Sequence, residues 1–236
     1  MRPRPPDHPG GPRVPGAPTP AGRPTPAGRP TPQGPPTQRL FIAVPLDAGA
    51  LGAVAGLVAD LRVDEAAARS STPGARSRAG FRWVRPEGVH LTLRFLGPTP
   101  PARVAAAASA LEAAVAGFGP FAVRVTGAGA FPRLSAPRVL WLGLGEGAAR
   151  LADLAARLEA NLAEAGWPPE DRPFGAHLTL ARADDVAAAR PVADALVRRV
   201  ATLEIGWTAD RAILYESRLG PGGARYEPLR TVPLSG

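Results

Sequence analysis

The sequence predicts an α+β fold built on antiparallel sheets, and two observations lead there. Strand-like and helix-like stretches mix without the regular βαβ beat of a parallel sheet. Turn clusters such as Gly220-Pro-Gly-Gly223 mark hairpins. Separately, the tetrapeptide His-Leu-Thr-Leu occurs twice, at His90–Leu93 and at His177–Leu180.

The elements follow in order. Arg39–Val44 is apolar and partly β-branched, and Pro45 bounds it, so it reads as a buried strand. Asp47 is placed to cap an Ala/Leu-rich helix running to about Arg62. Residues 63–80, rich in Ser, Arg, Ala and Gly, read as a long mobile loop. Phe81–Val84 is a short strand, Arg85–Gly88 a turn, and Val89–Leu96 a strand ending at Gly97-Pro98. A helix spans about 101–116, and Phe121–Val125 and Val139–Leu144 are strands. Ala148–Ala165 has apolar residues at helical spacing, with Gly166 as its stop. The pattern then recurs: His177–Ala181 as strand and Val186–Val200 as helix. Ala201–Trp207, Arg211–Ser217 and Tyr226–Val232 follow as strands, the last two joined by the Gly220–Gly223 hairpin.

Residues 1–37 are a different kind of chain. They hold 14 of the 30 prolines, no aromatic residue, and a repeated hexamer that starts at Pro18-Thr19-Pro20-Ala21-Gly22-Arg23. With little apolar surface to bury and few backbone donors, this tail is expected to be disordered and rich in polyproline II. It is expected to be an inert extension, with added non-specific affinity for RNA through its arginines as the alternative. The remaining 38–236 suits one domain or two small intimate lobes.

The formal charge is +8, of which five arginines against Asp7 give the tail +4. The body is therefore only mildly basic, which favours an anionic small ligand or an RNA end over a long duplex. Every basic side chain is arginine. The absence of lysine excludes a Walker-type phosphate lysine and Schiff-base chemistry. The absence of cysteine excludes disulfides, a thiol nucleophile and Cys-based metal sites. With no membrane-length apolar run and no signal-peptide core, a cytoplasmic protein that makes no membrane contact and acts as a monomer is expected.

The chemistry centres on histidine. Only three are present, and His8 lies in the tail. In a strand, alternate side chains share a face. His90 and Thr92 therefore face one way and Leu91 and Leu93 the other; the same holds for His177, Thr179, Leu178 and Leu180. If both polar faces line one cleft, two imidazoles provide a base and an acid near neutral pH. Two hydroxyls then donate to non-bridging oxygens and nearby arginines neutralise added charge, which is a metal-free phosphodiester site. No H-x-x-x-H or Cys spacing favours zinc.

These two motifs resemble the paired H-x-T-x motifs of the 2H phosphoesterase superfamily, most nearly its bacterial RNA 2′,3′-cyclic phosphodiesterases, also named 2′-5′ RNA ligases. Flanking stretches are similar too: Arg39-Leu-Phe-Ile-Ala, His90 to Gly97, Val139-Leu-Trp-Leu-Gly, Arg172-Pro-Phe, His177 to Arg182, and Leu214-Tyr-Glu-Ser217. The resemblance implies two pseudo-symmetric lobes of antiparallel sheet, helices outside, a central active-site cleft and no cofactor. It implies hydrolysis of a terminal 2′,3′-cyclic phosphate of RNA ends or small nucleotides to a 2′-phosphate. His90 would be the proton donor, His177 the proton acceptor, and Thr92, Thr179 and Arg182 phosphate ligands. Strict alternation places Arg182 on the face opposite His177, and makes Arg94 a rival phosphate ligand. Phe95 and Tyr215 are candidates for base stacking as well as for core packing. The alternatives are a non-catalytic RNA-binding module of the same fold, or reversible 2′-5′ end joining.

Two further signals are discounted. Gly143-Leu-Gly145-Glu-Gly-Ala148 fits a dinucleotide fingerprint but lacks the following strand with its acid, and reads as a strand-to-helix loop. Trp83, Trp141 and Trp207 read as core residues rather than base platforms.

Overall fold

Leu40, Ile42 and Val44 alternate with Phe41 and Ala43 along the first strand, β1 (Gln38–Pro45), and all five are buried. The first three join the main hydrophobic core. Phe41 lies on the other face, beneath a cluster of rings. A strand covered on both faces belongs in the middle of a sheet, and β1 pairs with strands on either side.

The structure, a computed structural model, describes residues 36–70, 80–220 and 223–236. Residues 35–236 form one compact unit. The tail expectation, apart from Pro36 and Thr37, and the loop at 71–79 lie outside the described residues. The remaining elements are α1 (Ala48–Ser70), β2 (Phe81–Trp83), β3 (His90–Thr99), α2 (Val104–Val115), β4 (Phe121–Arg133), β5 (Ala136–Leu144), α3 (Ala148–Glu164), β6 (His177–Ala183), α4 (Val186–Val200), β7 (Gly206–Ala209), β8 (Arg211–Gly220) and β9 (Gly223–Pro233). Short 3₁₀ turns precede β3 and α2.

The strands form one sheet in the order β7-β4-β5-β6-β3-β1-β8-β9, with β2 added against β6. Its two halves, β3-β1-β8-β9 and β6-β5-β4-β7, meet where β3 pairs with β6 through Leu91 and Leu178. Chain order repeats across that seam. The run β1, α1, β3, α2 matches β5, α3, β6, α4, and each half places its histidine strand beside the seam. The helices interlock the halves: α1 packs on α4, and α2 on α3. Leu91 and Leu178 are 1% and 0% exposed. Burying a leucine contributes about 1.5–3 kcal/mol. The pair that anchors the two motifs therefore also closes the sheet.

Several boundaries differ from the sequence expectation, each for a tertiary reason. Helix α1 runs to Ser70 rather than Arg62. Its last turns are rich in alanine, a strong helix former, and are tied down: Asp60 and Asp64 pair with Arg199 of α4, and Glu65 accepts from Trp83 Nε1 (2.9 Å) and the Phe81 amide (3.1 Å). Strand β4 extends to Arg133 through Thr126-Gly-Ala-Gly-Ala, a run of low β-propensity. Pairing with β5 carries it, and the Trp141 ring lies so close over Gly129 that an added Cβ would sit 2.4 Å away. Residues 201–205 precede β7 rather than forming it, because β7 is set by its register with Phe121–Arg124. The Asp47 cap is present, Oδ1 accepting from the Ala50 amide at 2.7 Å. Gly166, at φ +82°, ends α3 with the Trp167 amide bonded to the Leu162 carbonyl.

Candidate active site

Both histidine strands carry the same irregularity. On β3, Thr92 pairs with Ala43 and Arg94 with Ile42, which leaves Leu93 as an extra residue. On β6, Thr179 pairs with Trp141 and Ala181 with Leu140, which leaves Leu180 extra. Each is a β-bulge three residues after its histidine, and a bulge reverses the in–out alternation beyond it. The burial patterns agree: from each histidine onward the first six residues run half-buried, buried, half-buried, buried, buried, exposed.

The bulges settle the parity of the fifth residue. Arg182 and Phe95 both emerge on the cleft face, where strict alternation would have turned them inward. Arg94, given the favourable parity by alternation, is instead turned away from the cleft. It is 8% exposed. Its Nε lies 2.8 Å from Glu159 of α3, and its other nitrogens engage Glu170 and the Pro168 carbonyl. The 2.8 Å contact is a close ion pair whose N–H is not aimed at the oxygen. Arg94 is thus a clamp between β3, α3 and the segment leading to β6.

The cleft occupies about 400 Å³. His90 and Thr92 of β3 and Thr179 and Arg182 of β6 line it, together with Phe41 of β1 and Tyr226 of β9. Antiparallel pairing centred on Leu91 and Leu178 sets His90 across from Thr179 and Thr92 across from His177. The two motifs thereby place each imidazole opposite the other strand's hydroxyl.

Each imidazole is oriented the same way. His90 Nδ1 lies 2.7 Å from the Gly88 carbonyl, and His177 Nδ1 lies 2.7 Å from the Gly175 carbonyl. A carbonyl only accepts, so Nδ1 carries the proton in both rings and Nε2 is left to exchange one. The rings around them differ. His90 stacks on Phe41 at 4.7 Å and meets the edge of Tyr226 at 5.1 Å. His177 meets Phe131 edge-on at 5.3 Å. Burial pushes the His90 pKa down to about 4, against the pull of the Gly88 carbonyl, and His177 adds to the push.

That shift has a measurable consequence. Between pH 6.5 and 4 the unfolded chain binds a proton at residue 90 that the folded protein refuses. Stability is therefore fully present above the unfolded value and falls as pH drops through this window. The difference from an ordinary histidine is worth about 3 kcal/mol. Urea unfolding from pH 7 to 4 should show this slope, and His90→Asn should lack its share. An identical slope in the variant would mean that burial does not hold His90 neutral.

Of the two base-stacking candidates, Phe95 lines the cleft with 61% of its surface exposed. Tyr215 sits a layer back, stacked on Phe41 at 5.1 Å, and Tyr226 takes the place at the wall. Burial raises the pKa of both tyrosines. Sequence reasoning missed Phe41 as the floor under His90. The alternation of β1 carried a signal for Phe41; nothing local carried one for Tyr226, which arrives through the β8–β9 pairing. Gly145 and Gly147 form the tight loop into α3, as expected: a Cβ at Gly147 would lie 2.5 Å from the Ala122 carbonyl. Among the described residues no group of three or more His, Cys, Asp or Glu is placed to hold a metal ion.

Residues 58–221 match the family model described as the 2′-5′ RNA ligase superfamily. The chain belongs to that superfamily. Its relatives include a protein of Geobacillus stearothermophilus named RNA 2′,3′-cyclic phosphodiesterase, 32% identical over 197 residues, which span 83% of this chain and 57% of that one. A protein of the same name from Aeropyrum pernix is 34% identical over 161 residues, 67% of this chain and 89% of its own length. Among solved structures, E. coli LigT in apo form superposes with a TM-score of 0.60 at 26% identity, over 85% of this chain and 99% of LigT. LigT complexed with 3′-AMP gives 0.57 at 25% identity, over the same shares of the two chains. The superfamily's α+β fold, a curled antiparallel sheet with helices outside, is the fold described above. No helix among the described residues is long and apolar enough to cross a membrane.

Proposed function

We propose that this chain hydrolyses terminal 2′,3′-cyclic phosphates of RNA to 2′-phosphates, with His90 and His177 as its acid/base pair. The observation that carries this reading is the side-by-side antiparallel pairing of two H-x-T-x strands at one cleft, which His90, Thr92 and Thr179 line, with both Nδ1 protons committed to backbone carbonyls. The names of the curated relatives and the 3′-AMP complex of LigT support the substrate class.

In this reading Thr92 and Thr179 donate to the non-bridging oxygens and Arg182 balances their charge. His177 Nε2 takes a proton from water as its oxygen bonds to phosphorus. The bond from phosphorus to the 3′-oxygen breaks, and His90 Nε2 gives that oxygen its proton. His90 is neutral at rest, so its proton arrives with the anionic phosphate, whose charge raises the imidazole pKa. Phe95 offers its exposed ring to a base.

The test is product analysis on an oligoribonucleotide ending in a 2′,3′-cyclic phosphate, in the presence of EDTA. The expected product is the 2′-phosphate at undiminished rate. A 3′-phosphate, loss of turnover with chelator, or tight binding with no turnover would each sink the proposal.

A further inference from the structure

The cleft continues past the reacting residues, and its far end carries a cation the reaction does not use. Arg39 of β1 is exposed and lines the cleft. Among the described residues it pairs with no acid. The acids of that corner, Glu216 and Glu227, are engaged by Arg218, at 3.0 and 2.9 Å. Gln38 also reaches Glu216, which places this ionic group on the face of β1 opposite Arg39. Arg39 and Phe41 share the cleft face.

The order of groups along the cleft is informative. Strands β3 and β6 are antiparallel, so five residues beyond each histidine lead in opposite directions along the sheet. Arg182 lies one way and Phe95 the other. Phe95 is paired with Phe41, and Arg39 is two residues farther along β1, paired with Pro98. From Ala43, the partner of Thr92, to Arg39 is four residues, or about 13 Å of strand. The long arginine side chain spans part of that. The sequence of groups is cation, acid/base pair, exposed aromatic, cation. Ser217, and Leu219 with 78% of its surface exposed, also line the cleft, from β8.

We infer that the end of the cleft at Arg39 is a second phosphate subsite, which takes the internucleotide phosphodiester on the 5′ side of the terminal nucleotide, while Phe95 lies under a base between the two phosphates. The protein is then built for an oligoribonucleotide end rather than a free cyclic mononucleotide. This rests on the reaction proposed above.

The full chain is assayed on a 2′,3′-cyclic mononucleotide and on a dinucleotide with the same terminal residue. A charge-assisted contact predicts a kcat/KM about tenfold higher for the dinucleotide. Arg39→Gln should remove most of that preference, whereas Arg182→Gln should lower both substrates alike. Affinity for the corresponding 2′-phosphate products gives a reading independent of turnover. The dinucleotide product should bind more tightly, with a log–log salt slope steeper by about 0.7, and Arg39→Gln should abolish both differences. Equal treatment of the two lengths by the parent protein, or an equal loss for both in Arg39→Gln, would overturn the subsite. If neither cyclic phosphate is cleaved, the proposed reaction fails, and the product titration alone decides the subsite.

Discussion

Replacing His90 or His177 by asparagine is expected to lower kcat on a cyclic phosphate by about 10²–10⁴, with the double variant little worse than the single ones. Asparagine keeps a polar side chain at the site and removes the proton-exchanging Nε2. The two variants should then separate by role. If the leaving 3′-oxygen is replaced by sulfur, a better leaving group, departure no longer needs a proton. That substrate should rescue His90→Asn and leave His177→Asn slow. Rescue of His177→Asn instead would exchange the two roles, with neutral His90 as the base. Full activity in either variant on the natural substrate would remove the acid/base pair altogether.

Replacing Arg94 by alanine is expected to cost roughly 2–4 kcal/mol of stability, read as a lower urea midpoint. A wholly enclosed ion pair would cost more, but Glu159 and Glu170 keep 31% and 44% of their side-chain surface exposed and recover part of their hydration. Arg94→Lys should recover little, because one ammonium cannot reproduce a planar fork that meets two carboxylates and a carbonyl from fixed directions. The clamp holds the segment at 168–170, and five residues past Glu170, Gly175 orients His177. At temperatures where the variant remains folded, kcat should therefore fall with little change in KM. A variant as stable as the parent would mean that the ionic cluster is solvated and structurally idle.

Much of the site was legible because its chemistry is scarce in this chain. Two of three histidines opening identical strings, with no lysine or cysteine to compete, left little else to act on phosphate. Strand parity then put each imidazole beside its own threonine, and the structure keeps that arrangement. Parity failed beyond the third residue of each strand. Rotation of the pattern at Leu93 and Leu180 exchanged the positions expected for Arg94 and Arg182, and no local signal marks either bulge. Both bulged residues are leucines in an ordinary apolar run. The irregularity is a property of pairing with β1 and β5, not of the strand itself.

The same division holds for the fold. By itself the sequence determined which stretches are apolar at strand or helix period, where Asp47 and Gly166 cap, and which residue types share a face within each motif. These are short-range consequences of side-chain spacing and backbone sterics. Only the tertiary structure decided how far α1 and β4 run, that both halves share one sheet through Leu91 and Leu178, and which cations reach the cleft. Those outcomes depend on partners far away in the chain: Arg199 and Trp83 for α1, Trp141 for β4, and Glu159 and Glu170 for Arg94. A cation faces the cleft when no acid elsewhere claims it, and that is settled by packing rather than by spacing.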